Sequence, residues 1–317
     1  MARPALKERA RARLGFGPLG PAAGASRPTL AREEAWLGWW LVIPAAALIL
    51  ALVIYPMVVG FNTSLHAEAP TLGAPSKFVG FRNYSDVIKD PATHSAVVHT
   101  VFYVAIALAL EIIAGLGAAV ALHRPFRGRG LVLAVLILPW ALPSVVSGVL
   151  WRRILASDNG LLNSVLLQLH LIHTPQVWLA SGWAIPLITL VHVWGVLPLI
   201  VLILIAGLQG IPDEVYSASA VDGANQARQF WHITLPLLRP ALAVAITIGL
   251  VDAITIFDEI YVLNGTGLNT ASVVVQIYNT VFVDADFAHG IAFAFLVAAA
   301  TALCAVVATL ASRRATV

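Results

Sequence analysis

Six stretches of this chain, at about residues 39–61, 97–122, 131–151, 183–208, 241–263 and 287–311, are long, apolar and nearly free of ionisable side chains. A bilayer core about 30 Å thick is crossed by an α-helix of roughly 20 residues. Backbone in lipid has no water to bond, so runs of this kind close their own hydrogen bonds as helices. The expected fold is an all-α membrane protein with about six transmembrane helices. Composition agrees: 59% of the residues are apolar and 11% are charged, far from the balance of an ordinary soluble domain.

Orientation follows from the basic residues, because Lys and Arg are retained on the cytoplasmic side of a membrane. Arg3, Lys7, Arg9, Arg11, Arg13, Arg27 and Arg32 precede the first run. With that end inside, Arg124, Arg127 and Arg129, then Arg228 and Arg239, then Arg313 and Arg314 fall on the same side, 14 of the 19 basic residues. Lys77, Arg82, Lys89, Arg152 and Arg153 fall opposite. Both termini are expected in the cytoplasm, as an even number of spans requires. Topology and contact with anionic membrane lipid account for the basic segment, so no nucleic-acid partner is implied.

Residues 1–35 are rich in Arg, Ala, Pro and Gly and are expected as a disordered basic cytoplasmic tail, with residues 36–317 forming the transmembrane domain. No apolar core begins before Trp36, which is late for a signal sequence. The first run is therefore expected to remain as a span, with Trp36, Trp39 and Trp40 as interfacial anchors. The single cysteine, Cys304, lies inside the last run, where it serves as a small apolar filler and has no internal disulfide partner.

One connection, residues 209–240, is both long and on the inner side. Asp213 after Pro212 suits a helix N-cap, Glu214 sits where the helix dipole favours an acid, and Ser217, Ala218, Ser219 and Ala220 form a small-residue face that another protein can approach closely. Gly223 supplies a bend. Phe230, Trp231 and Ile233 can pack a second short helix back onto the spans, and Leu235-Pro236 and Pro240 break it before the membrane. By composition alone the segment is equally a plain polar connector.

Its spacing is more specific. Ala218, Gly223, Ile233, Leu235 and Pro236 match the pattern EAA-x3-G-x9-I-x-L-P, and ASAVDGA (218–224) with HITLPLLRPAL (232–242) resembles the permeases of binding-protein-dependent ABC importers. FVGFRNY (78–84), ILPWALPSVVSGVLWRRIL (137–155) and IFDEIYVL (256–263) are similar to the carbohydrate-uptake branch, with its maltose, trehalose and glycerol-3-phosphate permeases. The resemblance spans most of the chain. It implies a type I importer permease in a bacterial or archaeal cell membrane, paired with a second homologous permease, a cytoplasmic ATPase dimer and an extracytoplasmic solute-binding protein. It also implies a coupling helix at about residues 215–222 that docks on the ATPase, through Glu214, Ser217, Ala218, Ser219, Asp222, Gly223 and Ala224, with Ile233, Leu235 and Pro236 packing the loop. The usual Glu of the pattern is Ser217 here, so Glu214, three residues earlier, is the acid available in its place. No P-loop is present: Lys7, Lys77 and Lys89 are the only lysines and none follows a glycine. No catalytic role or bound cofactor is expected of this chain; ATP and Mg would sit on the partner.

A sugar path needs hydrogen-bonding groups and aromatic faces near mid-membrane. Trp140, Ser144, Ser147, His192, Trp194, Asp252, Thr255, Asp258 and Glu259 are the candidates, although ordinary helix packing accounts for each taken singly. Ionisable groups inside a span each cost roughly 2.5–3.5 kcal/mol on insertion scales and so face protein or water. Glu111, beside the small residues Gly115, Gly117 and Ala118, reads as a buried polar contact. Pro139, Pro143, Pro186 and Pro198 are positions where spans can kink. His170 and His173 lack a third ligand, so no metal site is expected, and neither H-E-x-x-H nor G-x-S-x-G occurs. A secondary carrier that works without an ATPase, and a membrane-embedded enzyme, are the competing readings; neither explains the spacing of the 209–240 loop.

Overall fold

Apolar periodicity becomes helix almost everywhere in the computed structural model, which describes residues 28–67, 76–180, 182–267 and 269–314. Most of the expected tail, and residues 68–75 of the first long loop, lie outside the described residues. The chain divides into two units, residues 1–59 and 60–317. The first holds α1 (Pro28–Ile49), which already begins within the segment expected as tail, followed by a π-helical turn (Leu50–Ile54) and the start of α2 (Tyr55–Ser64).

The second unit continues with α3 (Arg82–Lys89), α4 (Pro91–His123), α5 (Arg129–Ile137), α6 (Ser144–Ile154), α7 (Leu161–Gln168), α8 (Ala184–Gln209) and α9 (Asp213–Val221). Then come α10 (Gln226–Gln229), α11 (Leu235–Leu237), α12 (Arg239–Ile254), α13 (Asp258–Asn264), α14 (Val273–Tyr278) and α15 (Phe287–Arg314). Among the described residues the only β pairing is an isolated bridge between His66 and Phe78. That bridge belongs to the FVGFRNY segment, whose role is local: Asn83 Nδ2 donates to the carbonyls of Ser64 and His66 at 2.8 Å, and Gly80 takes φ +62°. The motif thereby staples the end of α2 to α3.

Among the described residues four helices are long and apolar enough to cross a membrane: Gly38–Ser64, Pro91–His123, Ala184–Gln209 and Phe287–Leu310. A fifth is obtained if Gln226–Leu237 and Arg239–Ile254, which meet at 67°, count as one. The runs expected at 131–151 and 241–263 are each two helices, α5 with α6 and α12 with α13. Of the four prolines expected to kink spans, Pro139 and Pro143 flank the first of these breaks. Pro186 lies in the first turn of α8, where no intrahelical partner is needed for the missing N–H, and Pro198 sits inside a helix that continues past it.

Helices α4 and α8 form the centre of the second unit. The buried positions of α4 are Thr93, Ala96, Thr100, Tyr103, Ala107, Glu111, Gly115, Ala119 and Leu122, one residue every three or four, the period that keeps a single stripe on one face. Small residues in that stripe let α8 approach closely. Against it stand Ile200, Val201, Leu204, Ile205 and Leu208, completed by Leu238 and Ala245. Polar ties fix the α13–α14 connection to the same helix: Tyr103 Oη donates to the Thr270 carbonyl at 2.9 Å, and Thr100 Oγ1 accepts from Val273 N at 2.9 Å. Asp90 starts α4 by accepting from Thr93 N, with Pro91 behind it.

The small residues near Glu111 do not form one surface. A Cβ on Gly115 would lie 2.8 Å from Ile200 Cγ2, whereas one on Gly117 would meet nothing within 4 Å. Gly115→Leu is therefore expected to lower stability by about 1–3 kcal/mol through overpacking, and Gly117→Leu to leave it nearly unchanged. Thermal unfolding of the two variants in detergent compares them directly; equal midpoints would contradict the assigned packing face.

Candidate functional site

Two helix breaks meet around one cavity. In the first, α5 ends at Ile137 and α6 begins at Ser144, with Pro139 and Pro143 between; neither proline can donate to the helix ladder, so the backbone turns over Leu138–Leu142 before the helix resumes. The second has no proline. There Thr255 Oγ1 bonds back to the carbonyls of Val251 and Asp252 at 3.0 and 3.2 Å, closing α12. Ser272 Oγ donates to the Ile256 carbonyl at 2.7 Å, holding the unwound residue from across the fold. Helix α13 then starts with Asp258 and Glu259 in its first turn, where the positive end of the helix dipole favours acids. Broken helices are tolerated at membrane depth where they line a cavity or are buried in protein.

The space between these breaks measures about 320 Å³. Its wall includes Pro139, Trp140, Ser144 and Ser147 from the first break and α6, His192 and Gly195 from α8, and Asp252, Thr255, Phe257, Asp258 and Glu259 from the second. Of the nine residues expected along a solute path, the structure brings eight together here. Trp194 is the exception: it does not line the cavity, and its ring meets Trp151 edge-on at 5.6 Å.

His192 is the centre of charge in this wall, with a side chain 4% exposed. Its Nε2 lies 3.4 Å from Asp252 Oδ2 and 3.9 Å from Glu111 Oε1, and its Nδ1 lies 3.6 Å from Glu259 Oε1. These separations are ion-pair contacts longer than hydrogen bonds. One imidazole on α8 thus faces carboxylates from α4, α12 and α13. Glu111 is fully buried, and Gly249 of α12 leaves room for it, since a Cβ there would run into the carboxylate. The sequence reading of Glu111 as a buried polar contact agrees with its burial, but it named no partner. A 3.6-residue periodicity puts Glu111 on the buried stripe of α4, but nothing local announces that α8 delivers a histidine opposite.

The 209–240 loop forms a second candidate surface. Helix α9 starts at Asp213 with Pro212 as its N-cap and no side-chain cap, so Asp213 occupies the first turn instead of capping it, because the proline already sets the extended backbone that the N-cap needs. The docking residues expected at 215–222 fall on this helix and its end. Gly223 has φ +78°, a left-handed bend that glycine adopts without strain. Asn225 caps α10 by accepting from Arg228 N at 2.9 Å. Gln229 Nε2 donates to the Tyr216 carbonyl at 3.2 Å and to Ser219 Oγ at 2.9 Å, and Tyr216 Oη contacts Thr234 Oγ1 at 3.0 Å. These bonds make a rigid helical corner.

The outer side of that corner is bare. Helix α9 buries none of its residues; Glu214, Ser217, Ala218, Asp222 and Gly223 are exposed, while Ser219 and Ala224 are half-buried. Val221 is 89% exposed, an apolar side chain at the tip that the sequence reading did not single out. Ser217 Oγ donates to the Asp213 carbonyl at 3.0 Å and so turns inward on its own helix. Ile233, Leu235 and Pro236 are half-buried as packing residues. Trp231 does not pack back: it is 63% exposed and meets Phe230 edge-on, because a π-helical turn at Phe230–Thr234 shifts the face, and the buried anchor at this end is Leu238.

A family model described as the binding-protein-dependent transport system inner membrane component matches residues 111–316. The chain is 37% identical over 237 residues to the trehalose/maltose transport system permease protein MalF of Thermococcus litoralis, covering 74% of this chain and 79% of that one. It is 33% identical over 257 residues to the sulfoquinovosyl glycerol transport system permease protein SmoG of Agrobacterium fabrum, covering 80% and 83%. With the trehalose transport system permease protein SugA of Mycobacterium tuberculosis it shares 31% over 274 residues, covering 86% and 87%. Its fold matches a solved bacterial ABC transporter involved in import of the acidic polysaccharide alginate, with a TM-score of 0.78 at 20% identity over 89% of this chain and 96% of that one.

The His192 contacts have a measurable consequence. His192→Leu leaves the Glu111 carboxylate buried with no counterpart and is expected to cost about 3 kcal/mol. Glu111→Leu with His192→Leu is expected to be milder than the sum of the two single changes. Thermal unfolding of this double-mutant cycle in detergent measures the coupling; strictly additive effects would show that the two groups do not interact.

Proposed function

The chain belongs to the family of binding-protein-dependent transport system inner membrane components, and from that premise we propose that its 320 Å³ cavity is this subunit's part of a sugar path and that the corner at Gly223 receives a separate ATPase. The protein is an integral membrane permease of an ABC importer. The observation that carries the docking role is the bare helix α9: a hydrogen-bonded corner held rigidly from within, whose outer face carries small residues and an uncovered Val221. Rigid geometry with an unoccupied surface is what transmits a push between subunits.

The solute is a saccharide or related polyol, as the relatives' names suggest and as the cavity's chemistry supports. Trp140 and Phe257 offer aromatic faces for the C–H surfaces of pyranose rings, and Ser144, Thr255 and the carboxylates offer hydrogen-bond partners for hydroxyls. Alternating access then has a physical basis. Both walls of the cavity are helix breaks, so α6 and α13 can change angle without disrupting a continuous hydrogen-bond ladder, while His192 draws α4, α12 and α13 together on α8 in the arrangement seen. A second permease completes the path, an extracytoplasmic binding protein delivers the solute, and ATP with Mg is handled by the ATPase dimer. The given sequence contains no Gly-Lys pair, and so not the P-loop pattern that cradles nucleotide phosphates.

With Ser217 turned onto its own backbone, the exposed acids of α9 and its end are Asp213, Glu214 and Asp222, and Glu214 stands three residues before the motif position. Gly223→Pro, which cannot take a positive φ, and Asp222→Arg are both expected to uncouple ATP hydrolysis from uptake in the reconstituted complex while the chain still inserts. Val221→Asp is expected to weaken co-purification of the ATPase at least about tenfold, as loss of a buried interface anchor does. Uptake and co-purification at the unmodified level in all three would remove the docking role from this corner. Solute uptake by the chain alone, without an ATPase, would overturn the importer reading itself.

A further inference from the structure

Three of the cavity's lining residues are acids, Asp252, Asp258 and Glu259, a fourth carboxylate, Glu111, stands behind His192, and no Lys or Arg lines the wall. His192 carries at most one positive charge against this group. Asp252 is 48% exposed at its side chain, so its carboxylate stands in the open cavity. Neither basic residue in the last turn of α6, Arg152 or Arg153, lines the wall, and Arg152 donates to the Val262 carbonyl at 3.4 Å. The wall of this subunit is therefore an acidic surface between low-dielectric helices, the arrangement that focuses a field of one sign.

Resting on the reading of this cavity as a sugar path, we propose that it selects by charge: it accepts uncharged or cationic polyhydroxy solutes and rejects those bearing carboxylate, sulfonate or phosphate. Carboxylates accept hydrogen bonds from hydroxyls, and such bonds are stronger than neutral ones because the acceptor is ionised. An ionised acid on the solute has no proton to donate and meets several like charges at short range. Recognition of hydroxyls and rejection of anions thus come from the same side chains, Asp252, Asp258 and Glu259.

The field is measured without any transport. In the membrane-embedded complex, with labelling read on this chain alone, Cys304→Ala removes the chain's only native thiol, and Ser144→Cys places one in the cavity wall, with Thr255→Cys as an alternative should the first fail to fold. Each is treated with methanethiosulfonates of matched size, one carrying trimethylammonium and one carrying sulfonate, which form a disulfide with the thiolate and release methanesulfinate. The cation-to-anion rate ratio, divided by the same ratio for a free thiol in solution, is expected to be about 10 or more, and to fall toward one at high salt. Asp252→Asn with Asp258→Asn should also lower it severalfold. A normalised ratio near one overturns the proposal, and so does a high ratio that survives those two neutralisations. ATP-driven uptake of a neutral disaccharide by the unsubstituted complex is assayed separately: its absence would count against the sugar path, whereas the rate ratio alone decides charge selection.

Discussion

A backbone in lipid has to close its own hydrogen bonds, and two places where this chain interrupts a helix, Leu138–Leu142 and Thr255–Phe257, border one cavity. The freed groups find local substitutes. Thr255 bonds to the turn behind it, Ser272 holds Ile256 from another segment, and the dipole of the restarted helix α13 is met by Asp258 and Glu259. Each substitute is polar, so the interruption and the polarity of the cavity have one cause. Continuous helices α4 and α8 supply the frame against which the broken ones are positioned.

The same cost governs charge. A carboxylate as deep as Glu111 is tolerated because His192 faces it across the central α4–α8 pair, and because Gly249 leaves its space unfilled. His192 in turn reaches Asp252 and Glu259, so the residue that accommodates a buried acid also ties together the two halves of the broken α12–α13 span. Packing and the lining of the cavity therefore share side chains. The 209–240 corner works by the opposite arrangement, with its polar bonds directed inward through Gln229 and Tyr216 and its outer face left open.

Much of the site was legible in the sequence because the residues that line it are polar or aromatic within apolar runs, and lipid makes such residues conspicuous. Eight of nine candidates share the cavity wall. Trp194 does not, since a helix presents neighbouring residues about 100° apart and whether His192 or Trp194 faces the space depends on where α6 packs. Glu111 was read as a buried polar contact, but its partner could not be named, since that partner comes from a helix about 80 positions later in the chain. In the loop, Gly223 and the small residues were read from spacing, whereas the exposure of Trp231 was not, because one π-helical turn rotates everything that follows it.

By itself the sequence determined the class of solvent, the helical character and the presence of a glycine-turned loop with a family spacing, because hydropathy, period and φ preference are local properties of the residues. Tertiary structure alone decided that two apolar runs are broken helices, that four ionisable groups from four helices converge on one another, and that Val221 is left without cover. Those are matters of which faces meet. No local rule sets them, since they depend on the combined packing of segments far apart in the chain.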